Sequence, residues 1–364
     1  MNSPAKNIII SPLEWGLGHA GRMIPVAIRL KSMGHNVFIA SGKEHIAFFS
    51  KETTGLNYIE LPGFTIRYSR IFPQYLVILA RVPFLAWYMI REHFILRRLI
   101  REYSIDIVIS DSRPGLWNSK IKSVFVSHIP GIPLPRWLWP VQMAGRLLGR
   151  MVLSKYNFFF IPDTDKDACL SGTLSHGFRL PSNARFIGIL SRFRKEMIDH
   201  LPVVVPSTCV VILSGPEPQR TCLMEQLAKV LDDSGYQITM LGASPGITKD
   251  IRLGKNIRFV NHLPTDEMMK LVLSSETVIT RSGYTTVMEL ASLDKSAILI
   301  PTPGQSEQEY LGKWLTEKGW FVNLNQGKIK NLKLPSVLPS LQFEEMRKRS
   351  AYLLEKALNE LLEQ

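Results

Sequence analysis

The stretch Gly16-x-Gly18-His19-x-x-Arg22 has the residue types of a proton-transfer or anion-binding turn. Glycines let the backbone approach a ligand closely, and a helix N-terminus behind them offers free N–H groups and a favourable dipole to an anion. A histidine in such a turn titrates near neutral pH and can serve as a general base. The competing reading is a tight turn whose histidine caps the helix. Gly21 completes the G-x-G-x-x-G spacing. The next apolar run ends in Ala40-Ser41-Gly42, with no acidic residue, so the strict dinucleotide fingerprint is incomplete.

A second candidate is Arg281-Ser282-Gly283-Tyr284-Thr285-Thr286-Val287-Met288-Glu289. Its serine, glycine and threonines can cradle a diphosphate where a strand feeds a helix. Glu289, one turn on, has the chemistry to accept both hydroxyls of a ribose. An ordinary Ser/Thr-capped helix is the alternative. A third segment, Pro301-Thr302-Pro303-Gly304-Gln305-Ser306-Glu307-Gln308, offers Gln305 and Gln308 as partners for sugar hydroxyls. It reads equally well as a polar loop capping the next helix.

The elements that must position these residues form two α/β series. Apolar runs at Asn7–Ser11, Asn36–Ala40, Ile105–Ser110, Ser123–Ser127 and Asn157–Ile161 predict strands, with a helix over Arg22–Met33. Two of these strands end at Asp111 and His128. A proline-bounded segment, Leu201–Pro206, predicts an interdomain linker. Beyond it, strands are predicted at Thr208–Leu213, Gln237–Leu241, Ile257–Val260, Thr277–Thr280 and Ala297–Ile300, alternating with helices. The division is residues 1–200, residues 201–342, and an amphipathic helix over 343–364 that could pack back on the first domain. Ligands in such folds bind at the carboxyl ends of the strands.

Taken in order, these motifs resemble the GT-B glycosyltransferases of the family-28 type, which include the lipid-II-forming N-acetylglucosaminyltransferases and the monogalactosyldiacylglycerol synthases. The resemblance is closest over residues 208–325 and weaker over 7–45. Ser110-Asp111-Ser112-Arg113-Pro114-Gly115 and Leu213-Ser214-Gly215-Pro216-Glu217-Pro218 resemble uncharacterised bacterial glycosyltransferases. The resemblance implies two doubly wound Rossmann-like domains facing each other across a cleft, and a hexosyltransferase that needs no metal or cofactor beyond its nucleotide-sugar co-substrate. That donor is expected to be UDP-linked, and the acceptor a hydroxyl compound, with a lipid-linked or cell-envelope glycan precursor among the options. Ser282, Gly283, Tyr284, Thr285 and Thr286 would then face the donor, Glu289 its ribose, and Gln305 and Gln308 its sugar. Leu263 would hold the base. Gly16, Gly18, Ser214 and Gly215 would close over the phosphates, with Arg220 and Arg281 beside the leaving group. The two prolines after Gly215 remove N–H donors from that loop. His19 or Asp111 would be the base. Alternatives on the same fold are a nucleotide-sugar epimerase or hydrolase, and a non-enzymatic module for anionic lipid or nucleic acid.

Charge bears on the last of these. The net charge is +13, and residues 1–205 carry all of it, with 26 basic against 13 acidic residues. Residues 67–155 hold 14 basic and 4 acidic residues. Arg81, Trp87, Arg91, Arg97, Arg98, Trp137, Trp139, Arg146 and Arg150 are interspersed there with long aliphatic runs. Arginine with interfacial tryptophan suits an anionic membrane or acceptor surface. No nucleic-acid motif accompanies it, so no nucleic-acid partner is expected. Asn7–Ile10 is too short for a signal-peptide core, and the expected location is cytoplasmic, peripheral on the inner face of the cytoplasmic membrane. The three cysteines have no metal-ligand spacing, and Asp163-Thr164-Asp165-Lys166-Asp167 lacks the glycine and glutamate of a calcium loop. A solvated acidic loop is predicted there, and no metal.

Overall fold

A computed structural model describes residues 4–64, 80–129, 139–166, 168–177, 179–198, 200–242, 250–334 and 338–363. Its first half is built from β1 (Asn7–Pro12), α1 (Leu17–Ser32), β2 (Asn36–Ser41), α2 (Lys43–Glu52), β3 (Asn57–Glu60) and α3 (Val82–Glu102). These are followed by β4 (Ile107–Asp111), β5 (Lys122–Val126), α4 (Trp139–Leu153), β6 (Phe158–Ile161), α5 (Thr173–His176) and β7 (Ala184–Phe186). The described strands form one parallel sheet in the order β3-β2-β1-β4-β5-β6-β7.

The second half contains β8 (Val205–Ile212), α6 (Gln219–Leu231), β9 (Gln237–Leu241), β10 (Asp250–Arg252), β11 (Ile257–Val260), α7 (Thr265–Ser274) and β12 (Ser275–Thr280). Then come α8 (Tyr284–Ser292), β13 (Ile298–Leu299), α9 (Ser306–Glu317), β14 (Val322–Asn323) and α10 (Glu344–Glu363). Its sheet runs β10-β11-β9-β8-β12-β13-β14, parallel except for the antiparallel edge pair β10–β11.

Central strands covered by helices on both faces must be apolar throughout. Ile8, Ile9, Ile10, Val108, Val124 and Phe159 are accordingly buried in the first sheet, and Val210, Val211, Val278 and Ile279 in the second. In each sheet the strand order reverses beside the first strand, between β1 and β4 and between β8 and β12. Crevices for ligands open at such switch points. Register makes the point concrete: Pro12 sits opposite Asp111 and Ile212 opposite Thr280.

Two boundaries differ from the sequence reading. Helix α1 begins at Leu17, so Gly18 and His19 lie in its first turn rather than in a loop before it. Gly16, at φ 96°, makes the left-handed bend that ends the strand exit, a conformation costly for any residue with a Cβ. The proline-bounded segment continues directly into β8 from Val205 onward, so the last two residues of the predicted linker, Val205 and Pro206, are strand.

Helix α10 returns to the first half. Arg29 pairs with Glu355 and Arg185 with Glu360, each at 2.6 Å. Lys6 Nζ and Lys122 Nζ donate to the carbonyls of Leu362 and Leu361, satisfying the open end of the helix.

Candidate active site

The switch point of the first sheet brings His19 and Asp111 together. His19 Nδ1 lies 3.0 Å from Asp111 Oδ2. Arg22, one turn further along α1, lies against the same carboxylate: its Nε donates to Oδ2 at 2.9 Å, and its Nη2 donates to Oδ1. Asp111 is fully buried. Burial alone would raise its carboxyl, but the Arg22 charge and His19 outweigh that and hold it well below the usual carboxylate range. The His19 imidazole is shifted below the ordinary histidine value, chiefly by burial, with Arg22 adding to the effect and Asp111 opposing it. His19 is therefore neutral at pH 7.

Two residues absent from the sequence-predicted site complete this cluster. Arg22 Nη1 reaches His128 Nδ1 at 3.3 Å, and His128 Nε2 lies 2.9 Å from Glu307 Oε1 on α9 of the other domain. Arginine can only donate, so a neutral His128 accepts at Nδ1 and donates from Nε2 to Glu307. Its ring also stacks on Tyr284, with centroids 4.2 Å apart. Their positions at a strand end and a helix start were the available signals. Partners separated by 106 and 179 residues were not readable from local pattern.

The domains meet closely around this cluster. A Cβ on Gly18 would sit 3.2 Å from Thr285 Oγ1, a tight contact that glycine avoids as α1 approaches α8. One on Gly21 would sit 3.5 Å from Glu289 Oε1. Glu289 is only 6% exposed, and Arg192 Nε donates to its Oε1 at 2.8 Å. Arg192 also donates to Thr265 Oγ1 and packs over Phe48 and Phe193. The cleft is thus closed over Glu289.

On the second sheet's side, Gly283 caps α8 with extended backbone and open space beside it, leaving the helix N-terminus accessible. Thr285 lies half-buried on the first turn and Thr286 is buried. Ser214 and Gly215 follow β8 at the same switch point, Gly215 at φ 98° and facing open space. Gln305 Oε1 is buried and lacks a hydrogen-bond partner among the described residues. Leu263 is half-buried beside His262, whose ring meets Phe48 of the first domain edge-on at 6.0 Å.

Other predicted ligands have side chains engaged within the protein. Arg281 is fully buried. Its Nη1 donates to the carbonyls of Ile300 and Pro301 and to Gln326 Oε1, and its Nη2 to the Gln219 carbonyl. These bonds tie the loops after β8, β13 and β14 to the end of β12. Ser282 Oγ donates to the Gln308 carbonyl, and Gln308 Oε1 accepts from the Thr302 amide, so both shape the loop. Tyr284 donates its hydroxyl to the Pro162 carbonyl of the first domain. Arg220 pairs with Glu217 at 2.7 Å. The acidic loop is not solvated at its start: Asp163 is fully buried and accepts from the amides of Thr164, Leu170 and Ser171. Asp167 lies outside the described residues.

The basic stretch forms outward-facing helices. On α3, Phe84, Trp87, Ile90 and Phe94 are 50–60% exposed, while Glu92, Leu96 and Leu99 face inward. Arg81, Arg91, Arg97 and Arg98 are exposed, with Arg91 over the Trp87 ring. On α4, Met143, Leu147, Leu148 and Met151 are exposed beside Arg150. Trp137 lies outside the described residues, as do the side chains of Trp139 and Arg146. No described helix is long and apolar enough to cross a membrane.

Residues 249–361 match the model of the glycosyltransferase family 28 C-terminal domain. An uncharacterized glycosyltransferase of Methanosarcina acetivorans is 25% identical over 329 residues, covering 84% of this chain and 82% of the relative. The UDP-N-acetylglucosamine–N-acetylmuramyl-(pentapeptide) pyrophosphoryl-undecaprenol N-acetylglucosamine transferase of Prochlorococcus marinus is 28% identical over 152 residues, 40% of this chain and 41% of that protein. Among solved structures, Glycyrrhiza uralensis UGT73P12 superposes with a TM-score of 0.62 at 14% identity, covering 98% of this chain and 96% of that one. At that identity the likeness speaks to the fold, which is GT-B.

Proposed function

We propose that this chain, whose residues 249–361 match the family-28 C-terminal domain, is a glycosyltransferase that draws its sugar from a nucleotide donor, with His19 as its base and the α8 N-terminus as its diphosphate cradle. The His19–Asp111 pair carries this reading, because it sits on the turn whose Gly18 meets Thr285. With its hydrogen on Nδ1 and donated to Asp111, His19 keeps a lone pair on Nε2. That nitrogen takes the proton of an acceptor hydroxyl as its oxygen bonds to the anomeric carbon. The bond from that carbon to the donor phosphate breaks, and the nucleoside diphosphate leaves with the electron pair. Backbone N–H groups at Gly283–Thr286, with Ser214 and Gly215, stabilise its charge as a metal ion would elsewhere.

Arg192 occupies one oxygen of Glu289, and the other is offered to the ribose hydroxyls. Gln305 Oε1, unpartnered and buried, accepts from a sugar hydroxyl, and the backbone around Leu263 holds the base, read as uracil. Donor entry parts α1 from α8, since Glu289 is covered when the domains touch. Calorimetric titration with UDP tests this arrangement. Micromolar to low-millimolar binding is expected, weakened about tenfold in Glu289→Ala, the scale of a charge-assisted hydrogen bond. Unchanged affinity in the variant would remove the ribose placement. No binding of any nucleoside diphosphate at millimolar concentration would remove the donor site.

The acceptor is read as lipid-linked and met at an anionic membrane face. Contiguous exposed apolar side chains flanked by arginines, as on α3 and α4, are the surface such docking needs. Sedimentation with vesicles containing phosphatidylglycerol should exceed that with neutral vesicles and decline as salt rises. Equal sedimentation with both would count against the docking surface.

A further inference from the structure

His19 Nδ1 has two neighbours at the same distance. Asp111 Oδ2 and Arg22 Nη2 each lie 3.0 Å away. The first neighbour only accepts and the second only donates. If the Nδ1 hydrogen points at Asp111, Nε2 is bare and can take a proton. If Nδ1 instead accepts from Arg22, Nε2 carries the hydrogen and His19 cannot act as a base. The choice between these tautomers rests on where the Arg22 guanidinium is aimed.

That aim is fixed at its far end. Nη1 is held by His128, whose ring is clamped between the stack on Tyr284 and the carboxylate of Glu307. Both clamps belong to the donor-binding domain, and Glu307 lies between Gln305 and Gln308 on the segment read as facing the sugar. With Nη1 anchored there, Nε and Nη2 lie side by side on the Asp111 carboxylate. Nη2 already lies 3.0 Å from His19 Nδ1, so release from the anchor needs only a small rotation to move an Nη2 hydrogen from the Asp111 carboxylate onto Nδ1.

We propose that Glu307 and His128 are positioning residues that hold His19 in its base-competent tautomer, and that they do so only when the donor domain is closed against the acceptor domain. The inference rests on the reading of His19 as the base. Its consequence is a safeguard: while the domains are apart, no base stands ready to activate water against the bound donor.

Steady-state kinetics on Glu307→Ala, Glu307→Gln and His128→Phe test this, with His19→Ala measured alongside. His128→Phe keeps the ring on Tyr284 but loses both polar contacts. Glu307→Ala and His128→Phe should each lower kcat roughly tenfold to hundredfold, part of a general base's contribution, with donor KM within about twofold. The double variant should be no worse than the poorer single one. Glu307→Gln keeps an acceptor for His128 and should fall by less than about threefold. The nitrogen-15 shifts of the His19 ring should move from the Nδ1–H toward the Nε2–H form in Glu307→Ala and not in Glu307→Gln. A raised donor KM with kcat intact would show that Glu307 reads the sugar directly and would overturn the proposal. So would additive losses, or an unchanged His19 tautomer. If His19→Ala keeps its turnover, the base reading itself fails. If His19→Ala is inactive and Glu307→Ala fully active, only the positioning role falls.

Discussion

His19→Ala is expected to lower kcat by roughly 10²- to 10⁴-fold, the span of a general base's contribution. Donor affinity should hardly change, because the imidazole is paired with Asp111 at the end of the first sheet rather than with the α8 N-terminus. The pH dependence gives a second check with a defined sign. His19 must be unprotonated to act, so the rate falls as pH drops through its pKa. Burial places that pKa below the ordinary 6.5, and the plateau should extend into mildly acidic buffer. An acid limb centred at or above 6.5 would contradict the burial of the ring. The same profile separates the two candidate bases. Asp111 is a poor one: both its oxygens are engaged by Arg22, and its carboxyl is held far below its usual range. A limb that stayed in the carboxylate range, and persisted in His19→Ala, would reassign the role to Asp111.

Arg22→Leu should cost about 3–5 kcal/mol of folding stability, the penalty for leaving a buried carboxylate unpaired. Arg22 is 1% exposed and Asp111 fully buried, so water cannot substitute for the lost guanidinium. The deficit should depend on pH. In the native protein the depressed Asp111 pKa contributes stability that is complete above the unfolded value of about 3.8 and is lost as pH falls below it. In the variant the unpaired carboxyl titrates above 3.8, so acidification relieves it. Urea denaturation at pH 7 and pH 4 should therefore show a smaller gap at pH 4. An equal gap at both would mean that the carboxylate finds another partner. Adding Asp111→Asn to Arg22→Leu should recover part of the loss.

Much of this architecture is legible in the chain, for physical reasons that also mark where legibility ends. Ile8–Ile10 and Val210–Ile212 are unbroken apolar runs because both sheet faces are covered, and such runs announce central parallel strands. Gly16 and Gly18 announce a sharp strand exit and a close approach. What a strand-end position does not reveal is the direction in which a side chain leaves. Arg281 and Thr285 are four residues apart after one strand, yet Arg281 is buried among four backbone and amide acceptors while Thr285 meets α1 across the cleft. Gln305 and Gln308 divide in the same way. Arg22 is legible as the last residue of the first motif, but its partner Asp111, 89 residues away, is not. Asp163 read as solvated because nearby acidic residues mask how many amides converge on it.

The return of α10 to the first domain has a consequence for assembly. Leu358 and Leu361 are fully buried, and the ion pairs at Arg29 and Arg185 close only when this helix arrives. The ribosome makes it after the entire second domain. Domains ordinarily fold in the order of their synthesis. Here the domain begun first is finished second: the ground beneath α1 and β7 stays open until the other domain has emerged. The half that holds His19 and Asp111 therefore matures only in a chain that already carries its second half.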